Sequence, residues 1–364
     1  MDRSSAVAEQ LAVSSATGGP LKELASGIDA LYMSGQGECP ETLLSDLEAW
    51  RSLARESEAP TVISLMGEFF RVGERAWGKY PYFLEHENGL IGFTDSTEFP
   101  ALRIQPRTEQ LHSAGPHVAI QWWQALAEGL IGDARLNASR MDLYSDWQGW
   151  DLKSADSPQF LSRARNLATY EESGEFTGFT FGRRKTQTIL ARIYDKSRDI
   201  ERKNAHWWFA IWGERYDPQS SALRVEFELG RQGLRDYGIH SASEALEASD
   251  SLWAAVTSWL THRVPTQDNT PARWPISPQW QQIQQSSIRG DAVARERIRL
   301  IKKASSLRSL MPGLAGYLSS YAALIDALDM DSTFAALPGN LRDYAIWTGK
   351  SFEERIAKKR MGLA

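Results

Sequence analysis

The sequence has 364 residues, of which 42% are hydrophobic and 24% are charged, so wholesale disorder is excluded and roughly two or three domains are expected. No apolar run reaches the length of about 18 residues that a membrane-spanning helix needs. The single cysteine, Cys39, excludes an intramolecular disulfide and fits a reducing, cytoplasmic location. The segment Met1–Pro20 lacks the apolar core of a signal peptide. The net charge of −5 provides no global attraction to nucleic acid.

Two local stretches have a net positive charge although the whole chain is acidic. Residues 183–235 hold twelve bases and seven acids, and residues 295–308 hold six bases and one acid. Basic stretches in an acidic protein indicate a polyanionic partner, although ordinary solvated faces would give the same counts.

The beginning of the chain, residues 1–25, is predicted to be a mobile tail, and Ile28–Met33 is predicted to be a first strand. Pro40 opens a helix with apolar residues at helical spacing, and short apolar runs from Thr61 to Pro106 predict an antiparallel meander. The elements predicted next are a helix over Val118–Ile131, a strand over Asn137–Trp147, a helix over Pro158–Glu171, a hairpin of Glu175–Gly182 and Thr188–Lys196, and a strand over Leu223–Leu229.

Beyond about residue 240 the apolar pattern becomes helical. We therefore expect an α+β domain over residues 26–240 and a helical C-terminal domain over 241–364 that binds DNA or a partner. The fold class predicted is α+β, with an antiparallel sheet, helices packed on one face of it, and a helical C-terminal region.

Polar side chains alternate with apolar ones along three of the predicted strands. If the strands are neighbours in one sheet, its polar face carries carboxylates, guanidiniums, a lysine and tyrosines. The residues on this face are Arg140, Asp142, Tyr144 and Asp146 of the first strand, Arg192, Tyr194 and Lys196 of the second, and Arg224, Glu226 and Glu228 of the third.

One interpretation of this polar face is a solvent-exposed surface with cross-strand ion pairs. The other is a catalytic surface, because clustered carboxylates can hold a hard divalent cation and that cation can polarise a phosphodiester. A tyrosine next to cations such as Arg192 and Lys196 is favoured as the phenolate and becomes a nucleophile. The turn Arg183-Arg184-Lys185, beside the Tyr194 strand, is placed to grip a DNA backbone.

Two other kinds of site are not supported. Gly73–Lys79 has the spacing of a phosphate-binding loop, but Tyr80 stands where that loop needs Ser or Thr. The six histidines are scattered, so a histidine metal cluster is not expected.

The motifs Gly178–Gly182, Arg192-Ile193-Tyr194-Asp195-Lys196 and Arg224-Val225-Glu226-Phe227-Glu228-Leu229 resemble the core of the plasmid and phage replication initiation factor family. That family includes rolling-circle Rep proteins of small staphylococcal plasmids and relaxases of integrative elements. Ser139–Asp146 and, weakly, Gly27–Leu31 add to the resemblance, which covers roughly residues 25–245.

The resemblance implies a Rep- or relaxase-like metal-dependent endonuclease that nicks single-stranded origin DNA and stays joined to the 5′ phosphate. Tyr194 matches the family's Arg-x-Tyr-x-Lys tyrosine and is the expected nucleophile, with Tyr144 as the alternative. Asp142 and Glu226 match acidic positions expected to hold Mg²⁺ or Mn²⁺, with Asp146 and Glu228 as further ligands. The His-hydrophobic-His metal motif of the wider rolling-circle superfamily is missing, so carboxylates would have to replace it.

DNA contacts are expected from Arg183, Arg184, Lys185 and Arg224, and from a second basic surface near the C-terminus. There, Arg299, Lys302 and Lys303 lie beside an apolar helical stripe, so that one side of the helix packs and the other meets phosphate. The alternative for that helix is a solvated surface, or contact with a second copy or a host protein.

Three functional hypotheses follow from the sequence. The first is an origin-nicking initiator or relaxase of a mobile element, the second a non-catalytic DNA-binding or regulatory protein on the same fold, and the third a nuclease that uses metal and water. The partners expected are single-stranded origin DNA, a host replication helicase or polymerase, and a second copy of the chain, with no membrane.

Overall fold

The computed structural model describes residues 21–57, 60–184, 186–288, 311 and 314–361, the last five of them without their side chains. The chain divides into two compact units, Met1–Arg299 and Leu300–Ala364. The first unit is α+β and contains a large antiparallel sheet, as expected. It extends beyond the domain boundary predicted near residue 240, because the helices that follow share its hydrophobic core.

The described residues contain thirteen strands, which are β1 (Lys22–Gln36), β2 (Val62–Leu65), β3 (Glu68–Val72), β4 (Tyr82–His86), β5 (Gly89–Phe93), β6 (Leu102–Pro106), β7 (Arg135–Gln148), β8 (Phe160–Ser162), β9 (Leu167–Glu172), β10 (Glu175–Phe181), β11 (Ile189–Asp195), β12 (Leu223–Gly230) and β13 (Leu260–His262). Eleven of these strands form one antiparallel sheet in the order β2-β3-β4-β5-β6-β1-β7-β12-β11-β10-β9, and β8 and β13 form a separate pair. The predicted meander is confirmed as β2 to β6, which pair in sequence order.

The helices of the first unit lie between these strands and after them. They are α1 (Glu41–Glu56), α2 (Thr108–Ser113), α3 (Pro116–Ile131), α4 (Lys196–Lys203), α5 (Trp207–Trp212), α6 (Arg231–Asp236), α7 (Ala242–Glu247), α8 (Ser249–Trp259) and α9 (Pro278–Gln284). The predicted helix before Gly132 is confirmed as α3, since Pro116 begins it with a preset φ and Gly132, at φ 76°, ends it.

The apolar face of the sheet and most of the helices enclose one large core. Met141 and Leu143 of β7, Ile193 of β11 and Phe227 of β12 are fully buried on this face. Trp253 of α8 packs edge-to-face on Phe227 with ring centroids 5.6 Å apart. Because side chains alternate along each strand, the polar residues between these apolar ones all point to the opposite face.

A second, smaller cluster lies on that opposite face. The aromatic helix α5 places Trp208 and Trp212 over Tyr144, and all three side chains are buried. This helix covers one end of the polar face and leaves the rest open.

The helix predicted over Pro158–Glu171 is wrong. The chain instead forms a 3₁₀ helix at Ser154–Gln159, then β8, and then β9, every residue of which is exposed. The apolar residues of this segment follow helical spacing, but the backbone of β9 is bound in register to β10. Sheet pairing therefore overrides the local pattern.

The structure differs from the predicted domain scheme at the N-terminal end and leaves part of its C-terminal end undescribed. The strand β1 begins at Lys22, so the predicted tail 1–25 is too long by the residues of this strand, and residues 1–20 lie outside the described part. The second unit is helical, with helices over 314–324, Met330–Thr348 and Phe352–Met361. Arg299, Lys302 and Lys303 lie outside the described residues. No helix among the residues described is long and apolar enough to cross a membrane.

One buried histidine of the first unit makes stability depend on pH. His262 of β13 lies between Trp150 and Phe160 with Nδ1 2.9 Å from the Ser277 hydroxyl, and burial lowers its pKa to about 4. The unfolded chain takes up this proton near pH 6.5 while the folded chain does not. The stabilising contribution of neutral His262 is therefore present above about pH 6.5 and is lost as the pH falls toward 4.

We expect the free energy of unfolding of the wild type to fall by about 2 kcal/mol more than that of a His262→Gln variant between pH 7.5 and 5.0. Urea unfolding at the two pH values measures the difference. Equal losses in the two proteins would show that His262 does not titrate in this way.

Candidate active site

An open cleft of about 1030 Å³ lies over the uncovered part of the polar face. Side chains from four adjacent strands reach it, together with α4 and the β9–β10 hairpin. Those that bear on its chemistry are Asp29, Arg140, Asp142, Arg192, Tyr194, Lys196 and Glu226.

The strand register brings the three predicted motifs together. β12 lies between β7 and β11, with Arg192 opposite Glu226, Tyr194 opposite Arg224, and Glu228 opposite Asp142. Opposed residues of antiparallel strands have Cβ atoms about 4.5–5.5 Å apart, so each pair can interact. The sequence prediction that these strands are neighbours with a shared polar face is confirmed.

Tyr194 sits in the cleft with its hydroxyl directed at a carboxylate. The hydroxyl donates a hydrogen bond of 2.9 Å to Oε2 of Glu226. Burial and the charge of Glu226 raise the pKa of Tyr194 well above its ordinary value. The phenol is therefore protonated near neutral pH, and the carboxylate beside it is an acceptor for the proton when the oxygen reacts.

Three carboxylates converge on one guanidinium. Nη2 of Arg192 lies 2.5 Å from Glu226 Oε1, 3.4 Å from Glu228 Oε2 and 3.5 Å from Asp142 Oδ2. Its Nε is buried and has no hydrogen-bond partner among the residues that the structure describes. Arg140 adds a second cation, with Nε 2.7 Å from Asp142 Oδ1. Burial, Glu226 and Glu228 nevertheless raise the pKa of Asp142, to about 7, against the lowering effect of Arg140.

The predicted metal ligands are thus paired with guanidiniums. Glu228 is also held by Arg184, whose Nη2 lies 2.8 Å from Oε2. Within the part of the chain that the structure describes, no three His, Cys, Asp or Glu residues are arranged to hold a metal ion. In this arrangement the carboxylates of Asp142, Glu226 and Glu228 are partners of arginine cations.

Asp146 belongs to a different, fully buried cluster. Both its oxygens accept hydrogen bonds from Arg224, at 2.7 and 2.8 Å, and Oδ2 also accepts one from the Trp212 indole. Arg224 is 0% exposed and lies between the rings of Tyr144 and Trp208, about 4 Å from each centroid. Its prediction as a DNA contact is therefore wrong, because it presents no surface to a phosphate.

Tyr144, the alternative nucleophile, lies beneath this cover. It is 1% exposed, and burial raises its pKa well above the ordinary value. His112 packs edge-on against its ring, and burial lowers the pKa of His112 to about 3. Tyr194 therefore lines the cleft, whereas Tyr144 is buried beneath its neighbours.

Lys196 follows the tyrosine strand but lies on α4, since Asp195 accepts a hydrogen bond from the Arg198 amide and caps the helix. Its Nζ lies 3.1 Å from Asp199 Oδ2 and 5.8 Å from the centroid of the Tyr194 ring. Burial, and the charge of Arg224, lower the pKa of Lys196.

The basic turn is at the edge of the site. Arg183 and Arg184 are exposed, and Lys185 lies outside the described residues. Arg184 is the only one of the three for which the described structure gives a side-chain ion pair.

The residues that sequence reasoning missed are Asp29, His112, Asp199, Trp208 and Trp212. Asp29 of β1 completes the Arg224 cluster, with Oδ1 2.6 Å from Nη1. The spacing of Lys196 and Asp199, three residues apart, was a local signal that could have been used. The run Trp207–Trp212 was a signal too, but nothing in the sequence says which surface it covers.

No family model matches this sequence, and no curated protein matches it. The chain is similar to a solved structure of a rolling-circle replication initiator protein from Geobacillus stearothermophilus, with 17% sequence identity and a TM-score of 0.43. The similarity covers 72% of this chain and 95% of that chain. At this identity no residue role transfers from that protein to this chain.

The buried position of Arg224 has a measurable consequence. Arg224→Ala leaves Asp146 buried without its cation, and we expect it to lower the free energy of unfolding by about 3–5 kcal/mol. The matched change Arg184→Ala removes a guanidinium that is 58% exposed, and should cost about 1 kcal/mol or less. Urea unfolding of both variants measures this. A loss below 1 kcal/mol for Arg224→Ala would contradict the structural role.

Proposed function

We propose that this protein is a rolling-circle replication initiator or relaxase of a mobile genetic element, which nicks single-stranded origin DNA through Tyr194. The observation that carries the proposal is the hydrogen bond from the Tyr194 hydroxyl to Glu226 in an open cleft, with Arg192 and Lys196 beside it. Origin DNA is proposed as the substrate because the motifs on β7, β11 and β12 resemble those of the replication initiation factor family. A host helicase or polymerase and a second copy of the chain stay predictions as partners.

In the proposed step the Tyr194 oxygen attacks the scissile phosphorus. A bond forms between the phenol oxygen and phosphorus, and the bond from phosphorus to the 3′ oxygen breaks. The phenol proton passes to Glu226, and the departing 3′ oxygen takes a proton from solvent water. The product is a 5′-phosphotyrosyl end with a free 3′ hydroxyl. Because one ester replaces another, religation by the reverse reaction needs no ATP.

In the proposed step the cations of the cleft stabilise the negative charge that develops on the phosphate oxygens. Arg192 lies on the same strand face as Tyr194, and its guanidinium is held by Glu226. Fixed guanidinium and ammonium groups in a partly buried site stabilise such charge more than mobile ones do, since they need no reorganisation.

We expect Tyr194→Phe to abolish the covalent protein–DNA adduct and to leave the affinity for DNA nearly unchanged, because only the hydroxyl is removed. A single-stranded origin oligonucleotide and a denaturing gel detect the adduct. The matched control is Tyr170→Phe, since Tyr170 is an exposed tyrosine in the same cleft, on β9, and should keep the adduct.

The outcomes separate the hypotheses. An adduct that survives in Tyr194→Phe would exclude Tyr194 as the nucleophile and move the assignment to Tyr144. Cleavage by the wild type without an adduct would indicate a nuclease that uses water. DNA binding without cleavage would indicate a regulatory protein.

The divalent ion expected at Asp142, Glu226, Asp146 and Glu228 stays a prediction, and the guanidinium pairs described above lend it no support. If the ion is bound there, we expect EDTA to stop nicking and Mg²⁺ or Mn²⁺ to restore it, because oxygen ligands suit these hard ions. The measurement is adduct formation in the presence of EDTA and again after each ion has been added back in excess. Full activity in EDTA would exclude the metal.

A further inference from the structure

Helix α4 begins directly after the tyrosine strand and runs along the cleft. Three of its cationic side chains, Arg198, Arg202 and Lys203, line the same cleft as Tyr194. The side chains of Arg202 and Lys203 are 77% and 60% exposed. The cleft is therefore bordered by cations that the chemistry at Tyr194 does not use.

A single buried carboxylate, that of Asp199, holds Arg202 and Lys203 in place together with Lys196. Asp199 lies 3.0 Å from Arg202, 3.0 Å from Lys203 and 3.1 Å from Lys196. Burial works against its charge, but Lys196 and Lys203 lower the pKa of Asp199 to about 2. One negative charge thus organises three positive ones, and the group keeps an excess of positive charge toward the solvent.

The guanidinium of Arg198 is directed at the β9–β10 hairpin. It forms ion pairs with Glu175 and Glu172 at the tip of the β9–β10 hairpin and with Asp195 at 3.4 Å. This is where the cleft meets a second one of about 1370 Å³, since both are lined by Glu171, Glu172, Asp195 and Arg198. The carboxylates of Glu172 and Glu175 therefore take the position at Arg198 that an anionic ligand could take.

We propose that α4 binds the sugar-phosphate backbone of the strand presented to Tyr194, with Arg202 and Lys203 on phosphates and Arg198 on another once it leaves Glu172 and Glu175. The inference rests on the proposed function and adds the surface that holds the strand. Arg198 and Arg202 are four residues apart, about one turn of 5.4 Å along the helix, so they lie on neighbouring turns of one face.

The test is the salt dependence of binding between the full chain and a single-stranded oligonucleotide. Each lost phosphate contact should flatten the slope of log affinity against log salt by about 0.7, so Arg202→Ala/Lys203→Ala should flatten it by about 1.4. The matched control is Arg231→Ala/Arg235→Ala, which removes two exposed cations from α6, a helix outside the cleft. An unchanged slope in the α4 variant, or an equal change in both, overturns the inference.

The hairpin provides a test with the opposite sign. Glu175→Gln removes a competitor for Arg198 and should tighten binding by about 1.5- to 5-fold, the range of one exposed ion pair. The control Glu171→Gln makes the same charge change on the same hairpin, but Glu171 bonds Ser154 and not Arg198. Equal effects of the two changes, or none, overturn the role of Arg198.

Adduct formation by the wild type tests the proposed function separately. If no adduct forms but the slope changes as expected, α4 still binds a strand and the tyrosine chemistry is wrong. If the adduct forms and the slope does not change, only the assignment of α4 fails.

Discussion

The ion pair between Arg224 and Asp146 is the interaction on which the polar face of the sheet depends. The guanidinium joins β12 to β7 through Asp146 and to β1 through Asp29, and the rings of Tyr144 and Trp208 enclose it. A buried charge without its partner is costly, so the three strands and the aromatic helix α5 must assemble together. This cluster forms a rigid end to the cleft and leaves Tyr194, opposite Arg224, at its border.

Beyond that border the ion pairs join buried carboxylates to the partly exposed guanidiniums of Arg140 and Arg192. Arg192 and Arg140 form ion pairs with Asp142 of β7 and with Glu226 and Glu228 of β12, which offsets part of the repulsion among these three carboxylates. Glu226 can then be both the anchor of Arg192 and the acceptor for the Tyr194 proton. The two roles use different oxygens of one carboxylate, Oε1 and Oε2, which is possible because the strand register fixes both neighbours.

The strands and their shared polar face could be predicted from the sequence, because they follow from local alternation of polar and apolar residues. Arg192 and Tyr194 alternate in this way on β11, and Glu226 does so on β12. Contacts with residues that are distant in the sequence could not be predicted in this way. Asp29 meets Arg224 across 195 positions of the chain, and α5 covers Asp146 from a separate segment, so the burial of Arg224 could not be read from β12 alone. The helix predicted over Pro158–Glu171 failed for the same reason, since pairing with β10 decides the structure of β9.

The continuity of β11 and α4 links the chemistry to the strand that it would act on. Asp195 ends the strand and caps the helix, so Tyr194 and the cations of α4 belong to one uninterrupted element. Asp199 ties Lys196, beside the tyrosine, to Arg202 and Lys203, at the solvent side. In the proposed function, a phosphate bound by α4 would be placed relative to the Tyr194 hydroxyl by backbone geometry and by one buried carboxylate, that of Asp199. Positioning of this kind, built on a strand and a helix, holds a reacting phosphate more accurately than a loop does.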